Sequence, residues 1–385
     1  MSTVGRPVRT TASPAALVRD RARETPDRIA VRYKRHGIWR EVTCAQYWHD
    51  IEQAAQVLLH LGVGPGDRVA ILSENRYEWL ILDAATVAVR GVTVGIDPTA
   101  TPAQVGAALA ASHAVVAIAE DAEQVDRVLA GDDRSRGLAH LLCLDARGIR
   151  GGDADARLRS WATALERRAV AAEDVRRRMD EAGPEDAVAL FGRPGAPAVA
   201  VSAGEVARDV AALLDGGIAP SPSDRDSVLP LFGLADRGER LLTSWLSAAA
   251  GVQVHVAESV STVPGDLREV QPTLVYAPAP MWERLAADID HRMAGASRLK
   301  RLVWRRWRPT AGMRAWETMG RLVLYRPLRD RIGLRRVRHA ASDNSVAAEV
   351  RAFFAGIGVP LHPIAEVTGA SESEPAGGEE TLWSD

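Results

Sequence analysis

Lysine is nearly absent from this 385-residue sequence. Of its 48 basic residues, only Lys34 and Lys300 are lysines, and the rest are arginines. We attribute this bias to a genomic base composition that favours arginine codons. Whatever the cause, a reaction that requires a lysine ammonium group has only two candidates in this chain.

The chain also has few cysteines, no long apolar run and a small net charge. Cys44 and Cys143 show no metal-ligand spacing, so we expect two reduced thiols. No apolar run reaches the roughly 18 residues of a membrane span, and the first ten residues lack the apolar segment of a signal peptide. We therefore expect a cytoplasmic protein. The formal net charge of −2 argues against a general nucleic-acid-binding surface.

Apolar segments alternate with helical ones along the chain. "RVAILS", "VTVGID" and "AVVAIAE" have the continuous apolar character of buried strands, and "RYEWLILDAATVAVRG" and "TPAQVGAALAAS" between them predict helices. Upstream, "RIAVRYKR" and "GIWREVT" alternate apolar and polar residues around His36-Gly37, which predicts a hairpin. Buried strands alternating with helices indicate a parallel sheet covered on both faces. We therefore predict a doubly wound α/β architecture.

The alternation occurs twice, and we predict two doubly wound α/β lobes. The first lobe is placed at residues 1–165 and the second at residues 166–370, with a flexible acidic tail at 371–385. A charged, helical segment from about Ala146 to Pro184 connects the two lobes. In the second lobe, "SVLPLFG", "VQVHVAE" and "PTLVYAP" predict strands.

The stretch "AVALFGRPGAPAVAVSAGEV", from Ala187 to Val206, has the outline of a phosphate-binding loop. An apolar strand leads into a turn rich in glycine and proline, and a second apolar run leads to a helix start at Ser202. Between Gly192 and Val201 there is no serine, threonine or lysine. Apart from Arg193, only backbone N–H groups of this turn are therefore available to a phosphate.

Several segments together resemble the AMP-forming acyl-CoA synthetases, in particular the long-chain fatty acyl members. They are "GVGPGDRVAILSENRYEWLILDAATVAVRGVTVGIDPTATPAQV", "VLPLFGLADRGERLL", "VAESVSTVPGDLREVQPTLVYAPAPMWERL" and "VLYRPLRDRIGL" followed by "VAAEVRAFFAGIGVPL". The resemblance implies the two-lobed amino-terminal domain of these enzymes. It also implies an activity that joins a carboxylate to ATP as an acyl-adenylate and then transfers the acyl group to coenzyme A.

The resemblance also locates the nucleotide site, whose residue types are changed here. The family's phosphate loop, rich in Ser, Thr and Gly and ending in Pro-Lys-Gly, falls on the stretch from Ala187 to Val206. Its Gly-Gly-Ala-Pro adenine turn falls on residues 342–345, and its Tyr-Gly-Leu-Thr-Glu-Thr segment falls on residues 365–370, where only the first threonine matches. The degenerate nucleotide site implied in this way comprises Gly192, Arg193, Gly195, Ser202, Asp343, Asn344 and Thr368.

The acyl site and the lid are changed too. The histidine of the family's "Pro-Leu-Ala-His" block is Gly233 here, and Trp282 falls on an aromatic residue of the acyl-binding region, although core packing is favoured for it, because that is the usual role of a large aromatic side chain. The candidate acyl pocket comprises Phe232, Gly233, Tyr276 and Trp282. The sequence ends before the family's ribose-binding aspartate, hinge and carboxy-terminal lid with its catalytic lysine, so we expect these parts to be missing.

Two functions fit these changes. The first is a catalytically impaired homologue that has no catalytic residue, metal or cofactor and binds an acyl chain, an acyl-carrier protein or another protein partner. The alternative is an AMP-forming acid–thiol ligase that uses ATP, magnesium and coenzyme A with a lid supplied by a second polypeptide. Arg193 would then clamp a phosphate.

The basic segment "SRLKRLVWRRWRP", residues 297–309, combines arginines with tryptophan and leucine. From residue 298 to residue 308 it has the composition of a helix that makes peripheral contact with a membrane or a partner. The alternative is a solvated helix whose arginine stems cover its own apolar side chains. The sequence does not predict the oligomeric state.

Overall fold

The computed structural model describes residues 13–131, 137–149, 155–192, 198–217, 221–295, 298, 304, 325–343 and 345–364. These residues form two seven-stranded sheets flanked by helices, which confirms the predicted α/β class. In each sheet six strands are parallel, and one edge strand is antiparallel to its neighbour.

The strands are numbered in chain order. They are β1 (Ile29–Arg35), β2 (Ile38–Thr43), β3 (Arg68–Leu72), β4 (Val92–Ile96), β5 (Ala114–Ala119), β6 (His140–Cys143), β7 (Leu158–Ser160), β8 (Ala187–Phe191), β9 (Val199–Ser202), β10 (Ser227–Val228), β11 (Gln253–Val256), β12 (Leu274–Tyr276), β13 (His339–Ser342) and β14 (Leu361–Pro363).

The helices flank these strands. They are α1 (Pro14–Glu24), α2 (Cys44–His60), α3 (Tyr77–Ala88), α4 (Pro102–Ser112), α5 (Ala122–Gly131), α6 (Trp161–Arg167), α7 (Ala172–Asp180), α8 (Ala203–Ala212), α9 (Arg237–Arg240), α10 (Ser247–Ala250), α11 (Val263–Val270), α12 (Ala279–Ala294), α13 (Arg326–Arg331) and α14 (Ala348–Gly356). Short π-helical turns follow α8 at Leu213–Gly217 and α9 at Leu241–Leu246, and a 3-10 turn at Val260–Thr262 precedes α11. None of the helices in the described ranges is both long and apolar enough to cross a bilayer.

The two sheets share one strand order. The first sheet runs β7-β6-β5-β3-β4-β8-β9, and the second runs β14-β13-β12-β10-β11-β1-β2. In each, successive strands are added first on one side of a central strand, β3 or β10, and then on its other side. The pairing cuts across the lobe boundary predicted at residue 165, because β8 and β9 complete the first sheet and the early β1–β2 hairpin completes the second.

Local signals in the sequence account for many element ends. His36 and Gly37 both adopt positive φ angles, 52° and 71°, as a two-residue type I′ hairpin turn requires, which confirms the predicted hairpin. Thr43, Thr101 and Ser202 each cap a helix through a capping box. The segment from Ala146 to Pro184 is helical in α6 and α7, as predicted, but also contributes the edge strand β7.

One apolar core joins the two sheets. It contains side chains from β3 and β5 of the first sheet and from β1, β10 and β11 of the second, with α2, α3 and the π-helical turn after α9 between them. Smaller clusters cover the outer faces, one under α4 and α5 and one under α12 and α14. The sheets are therefore packed against common elements, and their edges are held in a fixed relation.

The end of α10 is fixed by Arg21 of α1. Gly251 follows the helix with a φ of +74°, the left-handed conformation of a helix C-cap. The Arg21 guanidinium donates to the carbonyl oxygens of Ala248 and Ala249, at 3.2 and 2.8 Å. A Cβ atom on Gly251 would lie 2.2 Å from Nη1 of Arg21. A glycine at this position therefore allows both the left-handed turn and the close approach of the Arg21 guanidinium.

We predict that Gly251→Ala lowers the free energy of unfolding by about 1–2 kcal/mol, the cost of a left-handed alanine, and more if Arg21 is displaced. Urea denaturation measures the change. Gly265→Ala is the matched control, because Gly265 lies in α11 with nothing within 4 Å of the added methyl group. It should raise stability by up to about 1 kcal/mol. Equal effects of the two substitutions would contradict the assignment.

Candidate functional site at the carboxyl edges of the sheets

The carboxyl edges of the two sheets meet at Asn75. This residue follows β3, and its side-chain amide donates to the carbonyl oxygen of Phe232 at 2.7 Å and accepts from the backbone N–H of Leu234 at 2.8 Å. Phe232 and Leu234 lie in the loop after β10. Because β3 and β10 are the strands at which the strand order reverses, Asn75 joins the two switch points, where open α/β sheets bind ligands.

The stretch from Ala187 to Val206 forms the hairpin β8–β9 and the start of α8. The Ser202 hydroxyl caps α8 by accepting from the backbone N–H of Glu205 at 3.2 Å, and the Glu205 carboxylate accepts from the N–H of Ser202 at 2.7 Å. Ser202 is therefore engaged as a cap. Gly192 is the last described residue before the turn. Arg193, Gly195, Asn344 and Thr368 lie outside the described residues.

The candidate acyl residues are divided between a loop and a packed core. Gly233 is exposed, with nothing within 4 Å of the position that a Cβ atom would take. Trp282 is buried, stacks edge-on against Phe354 with ring centroids 4.8 Å apart, and donates from Nε1 to the Ala341 carbonyl oxygen. Trp282 is thus held as a core residue, whereas Gly233 leaves open space beside Phe232.

Tyr276, at the carboxyl end of β12, fills the crevice beside α9. Its ring lies so close to Gly238 that a Cβ atom there would be 2.4 Å from the ring. The Tyr276 hydroxyl hydrogen-bonds to the Asp236 carboxylate. Burial, followed by the nearby charges of Asp236, Asp343 and Glu239, raises the pKa of Tyr276 well above its usual value. The phenol is therefore a neutral hydrogen-bond donor in this crevice.

Asp343 belongs to the segment aligned with the family's adenine turn. Its Oδ1 accepts from the backbone N–H of Ala279, the first residue of α12, at 3.1 Å. It also accepts from the hydroxyl of Ser345 at 2.9 Å and from the N–H of Ser345 at 3.3 Å. Helix α12 has no side-chain cap of its own. The Asp343 carboxylate therefore supplies the anion that its amino terminus favours.

Glu239 is a fully buried carboxyl group next to this crevice. It accepts from the backbone N–H groups of Leu231 and Phe232, at 3.2 and 3.0 Å, and from the Thr243 hydroxyl at 2.7 Å. Burial raises its pKa to about 8, against the opposing effect of these hydrogen bonds. Glu239 thus fixes the loop that carries Phe232 and Gly233.

The sequence did not identify Arg240 as a residue of this region. Its guanidinium is fully buried between the rings of Trp79 and Phe191, 4.7 and 4.8 Å from their centroids, and lies 3.8 Å from the Asp83 carboxylate. In sequence, Glu239-Arg240 precedes an apolar run, which equally describes the exposed first turn of a helix. The contact positions Phe191, the last residue of β8, against the second sheet.

Lys34 lies away from this site, and the described residues contain no candidate metal site. Lys34 on β1 is held by Asp266 and Glu269, both at 2.7 Å, and Lys300 lies outside the described residues. Among the residues that the structure describes, no three His, Cys, Asp or Glu side chains are grouped as ligands for a metal ion. Of residues 298–308, the described Trp304 is buried against Phe353.

Comparison with known proteins identifies the family to which this chain belongs. The model of the family described as "AMP-binding enzyme" matches residues 18–377. The chain belongs to this family. Long-chain-fatty-acid–CoA ligase FadD15 of Mycobacterium tuberculosis is 45% identical over 106 residues, which are 28% of this chain and 18% of that protein.

Two further members of the AMP-binding enzyme family match more of the chain. Long-chain-fatty-acid–CoA ligase ACSBG2 of Gallus gallus is 23% identical over 370 residues, which cover 90% of this chain and 48% of that protein. The N-terminal domain of FACL13 from Mycobacterium tuberculosis superposes with a TM-score of 0.63 at 17% identity, over 91% of this chain and 74% of that domain. The chain spans about half the length of the Gallus gallus relative.

We predict that Glu239→Gln flattens the pH dependence of stability between pH 4.5 and pH 8. In this window the folded state of the native protein holds a proton on Glu239 that the unfolded state has released. Its contribution to stability is therefore complete below pH 4.5 and is lost as the pH rises to about 8, by about 1 kcal/mol per pH unit. The side-chain amide of the variant has no such proton to lose.

Urea denaturation from pH 5 to pH 8 measures this effect as the difference between the native protein and the variant. The same substitution at the exposed Glu166 controls for the loss of a carboxyl group. A difference that is constant across the pH range would show that Glu239 is ionised in the folded protein.

Proposed function

We propose that this protein is a cytoplasmic member of the family that binds an acyl ligand and does not form an acyl-adenylate from ATP. The observation that carries the proposal is the set of acidic groups at the carboxyl edge of the second sheet. Asp236, Glu239 and Asp343 surround Tyr276 in the crevice after β10 and β12. This is where the resemblance locates the acyl and adenine sites.

The Asp343 carboxylate opposes the binding of ATP on electrostatic grounds. Adenylation builds negative charge on the α-phosphate, and enzymes stabilise that charge with positioned cations and N–H donors. Here the nearby carboxylate of Asp343 repels it, because like charges a few ångströms apart in a partly buried site interact strongly. Arg240, the buried arginine nearest the crevice, is enclosed between Trp79 and Phe191 beside Asp83.

The helix terminus that faces this crevice is already neutralised. The amino terminus of α12 would attract a phosphate through its free N–H groups and its dipole. The Asp343 carboxylate accepts from the first of these groups, at Ala279. A phosphate would have to displace an internal anion whose hydrogen bonds to Ser345 hold it in place.

The acyl part of the proposal is supported by the loop after β10. The side chain that the family places there is missing at Gly233, and the space beside Phe232 is open. Asn75 and Glu239 fix the backbone of this loop from both sides. A neutral acyl thioester or ester suits such a site better than a free carboxylate, since acidic groups lie nearby. The ligand is an acyl chain, free or attached to an acyl-carrier protein.

Calorimetric titration of the chain with ATP·Mg and, separately, with the neutral thioester S-dodecanoyl-N-acetylcysteamine tests the proposal. We expect saturable binding of the acyl thioester, no heat from ATP at millimolar concentration, and no pyrophosphate exchange with fatty acids. Asp343→Asn is the informative variant, because the amide keeps the acceptor oxygen for Ala279 and removes the charge. It should increase any residual affinity for ATP.

Millimolar or tighter ATP binding by the unaltered chain, together with acyl-adenylate formation, would overturn the proposal. Gly233→His is the control for the acyl site. It fills the open space without touching the residues that hold Asp343, so it should weaken the binding of S-dodecanoyl-N-acetylcysteamine and leave the response to ATP unchanged.

A further inference from the structure

Arginine side chains cover one surface at the amino edge of the second sheet, where β12, β13 and β14 begin. Residues 326–338 form α13 and the turn into β13, and they contain six arginines and one acidic residue, Asp330. Five of these arginines are exposed, and we call them the arginine surface. They are Arg326, Arg331, Arg335, Arg336 and Arg338. The sixth, Arg329, packs beside the chain that leads into β14, because a Cβ atom on Gly358 would lie 3.0 Å from its Nη1.

Few carboxylates neutralise the arginine surface. Arg335 is paired with Asp330 at 3.4 Å, and Arg338 is paired with Asp226 at 3.0 Å. The side chains of the other three form no ion pair or hydrogen bond with any described residue. They are Arg326, Arg331 and Arg336. Like charges at such short spacing repel each other, so the surface favours a partner that carries several negative charges.

The complementary charge is carried by the acidic tail, residues 371–385. These residues, "SESEPAGGEETLWSD", include five acidic residues and no lysine, arginine or histidine. The formal net charge of −2 includes those five negative charges, so the rest of the chain carries +3. A segment of this composition buries too little apolar surface to fold by itself. It is therefore available to bind another surface of the protein.

The acidic tail is long enough to reach the arginine surface. The described chain ends at Ile364, one residue after the edge strand β14. Leu361 of β14 pairs with Ala340 of β13, and Arg338 directly precedes β13. Arg338 therefore lies about five residues back along β14 from Ile364, a distance of about 17 Å. Glu372 is eight residues beyond Ile364, and an extended chain of that length spans about 27 Å.

We infer that the acidic tail binds the arginine surface of its own chain. A tail attached nearby acts at a high effective concentration, so it occupies the surface ahead of free polyanions and acidic partners. Each exposed ion pair contributes little, so the contact depends on several pairs together and weakens as salt is added. The inference does not rest on the proposed function, because the surface lies at the edge of the sheet opposite Gly233.

Carbodiimide crosslinking of the Arg336→Lys variant tests the contact. The reagent joins a lysine amine directly to a touching carboxylate, and the unaltered chain has only two lysines. We expect peptide mass spectrometry of the monomeric product to show a link between position 336 and the acidic tail. In about 1 M sodium chloride, where the Debye length is about 3 Å, its yield should fall about tenfold.

Arg176→Lys is the matched control for the crosslink. Arg176 is exposed on α7, outside the arginine surface, and is paired with Glu52 at 3.3 Å. The lysine of this variant should therefore be joined to Glu52, which shows that the reagent is active, and not to the acidic tail.

A variant of the full chain with a neutral tail measures how far the tail covers the surface. In it the four glutamates of the tail are replaced by glutamine, and Asp385 by asparagine. Loss of negative charge alone strengthens retention on immobilised heparin, so the informative quantity is the effect of Arg331→Gln combined with Arg336→Gln. This pair should lower the eluting salt concentration more in the neutral-tail variant than in the unaltered chain, because the tail already covers both arginines there.

Three results would overturn the inference. The first is the lack of a link between position 336 and the tail at low salt while the control is joined to Glu52. The second is an equal effect of the two arginine substitutions in both backgrounds. The third is binding of the unaltered chain to phosphatidylserine vesicles that is lost with the same substitutions, since a membrane would then occupy the surface.

Discussion

The buried contact between Arg240 and the pair of rings formed by Trp79 and Phe191 sets the relation between the two sheets. The rings belong to α3 and β8 of the first sheet, whereas the guanidinium belongs to α9, which follows the central strand of the second. Asp83 provides the opposing charge. The two charged groups lie 3.8 Å apart without a hydrogen bond between them, so the stacking of the guanidinium on the two rings is the contact that joins the sheets. The carboxyl edges, and hence the loops at Asn75 and Gly233, meet because of it.

Much of the fold follows from local sequence signals. The hairpin at His36-Gly37 and the caps at Thr43, Thr101 and Ser202 use interactions within a few residues, which a single sequence displays. The sheet to which the hairpin belongs cannot be predicted from such local signals. Val31 pairs with Val254, more than two hundred residues away, and no local pattern encodes that partner. The predicted boundary at residue 165 therefore follows the chain, whereas the pairing does not.

The candidate site was predictable in outline only. The sequence indicated which residue types had changed at Gly233 and Asp343, but not that the Asp343 carboxylate would cap α12. It also placed both Trp282 and Tyr276 in the candidate acyl pocket. The structure separates them, since Trp282 packs against Phe354 in the core and Tyr276 faces the acidic groups of the crevice. Such differences depend on how several distant segments converge.

The two edges of the second sheet differ in their chemistry for a common structural reason. Parallel strands leave loops at the carboxyl edge, and here these loops bring carboxylates to the amino end of α12 and to Tyr276. At the amino edge, α1 and α10 close over the starts of β1 and β11, and their polar groups are used to join the two helices at Arg21. The first arrangement opposes an anion, and the second leaves an apolar surface. The proposal that a neutral acyl ligand is bound in place of ATP rests on the first of these arrangements.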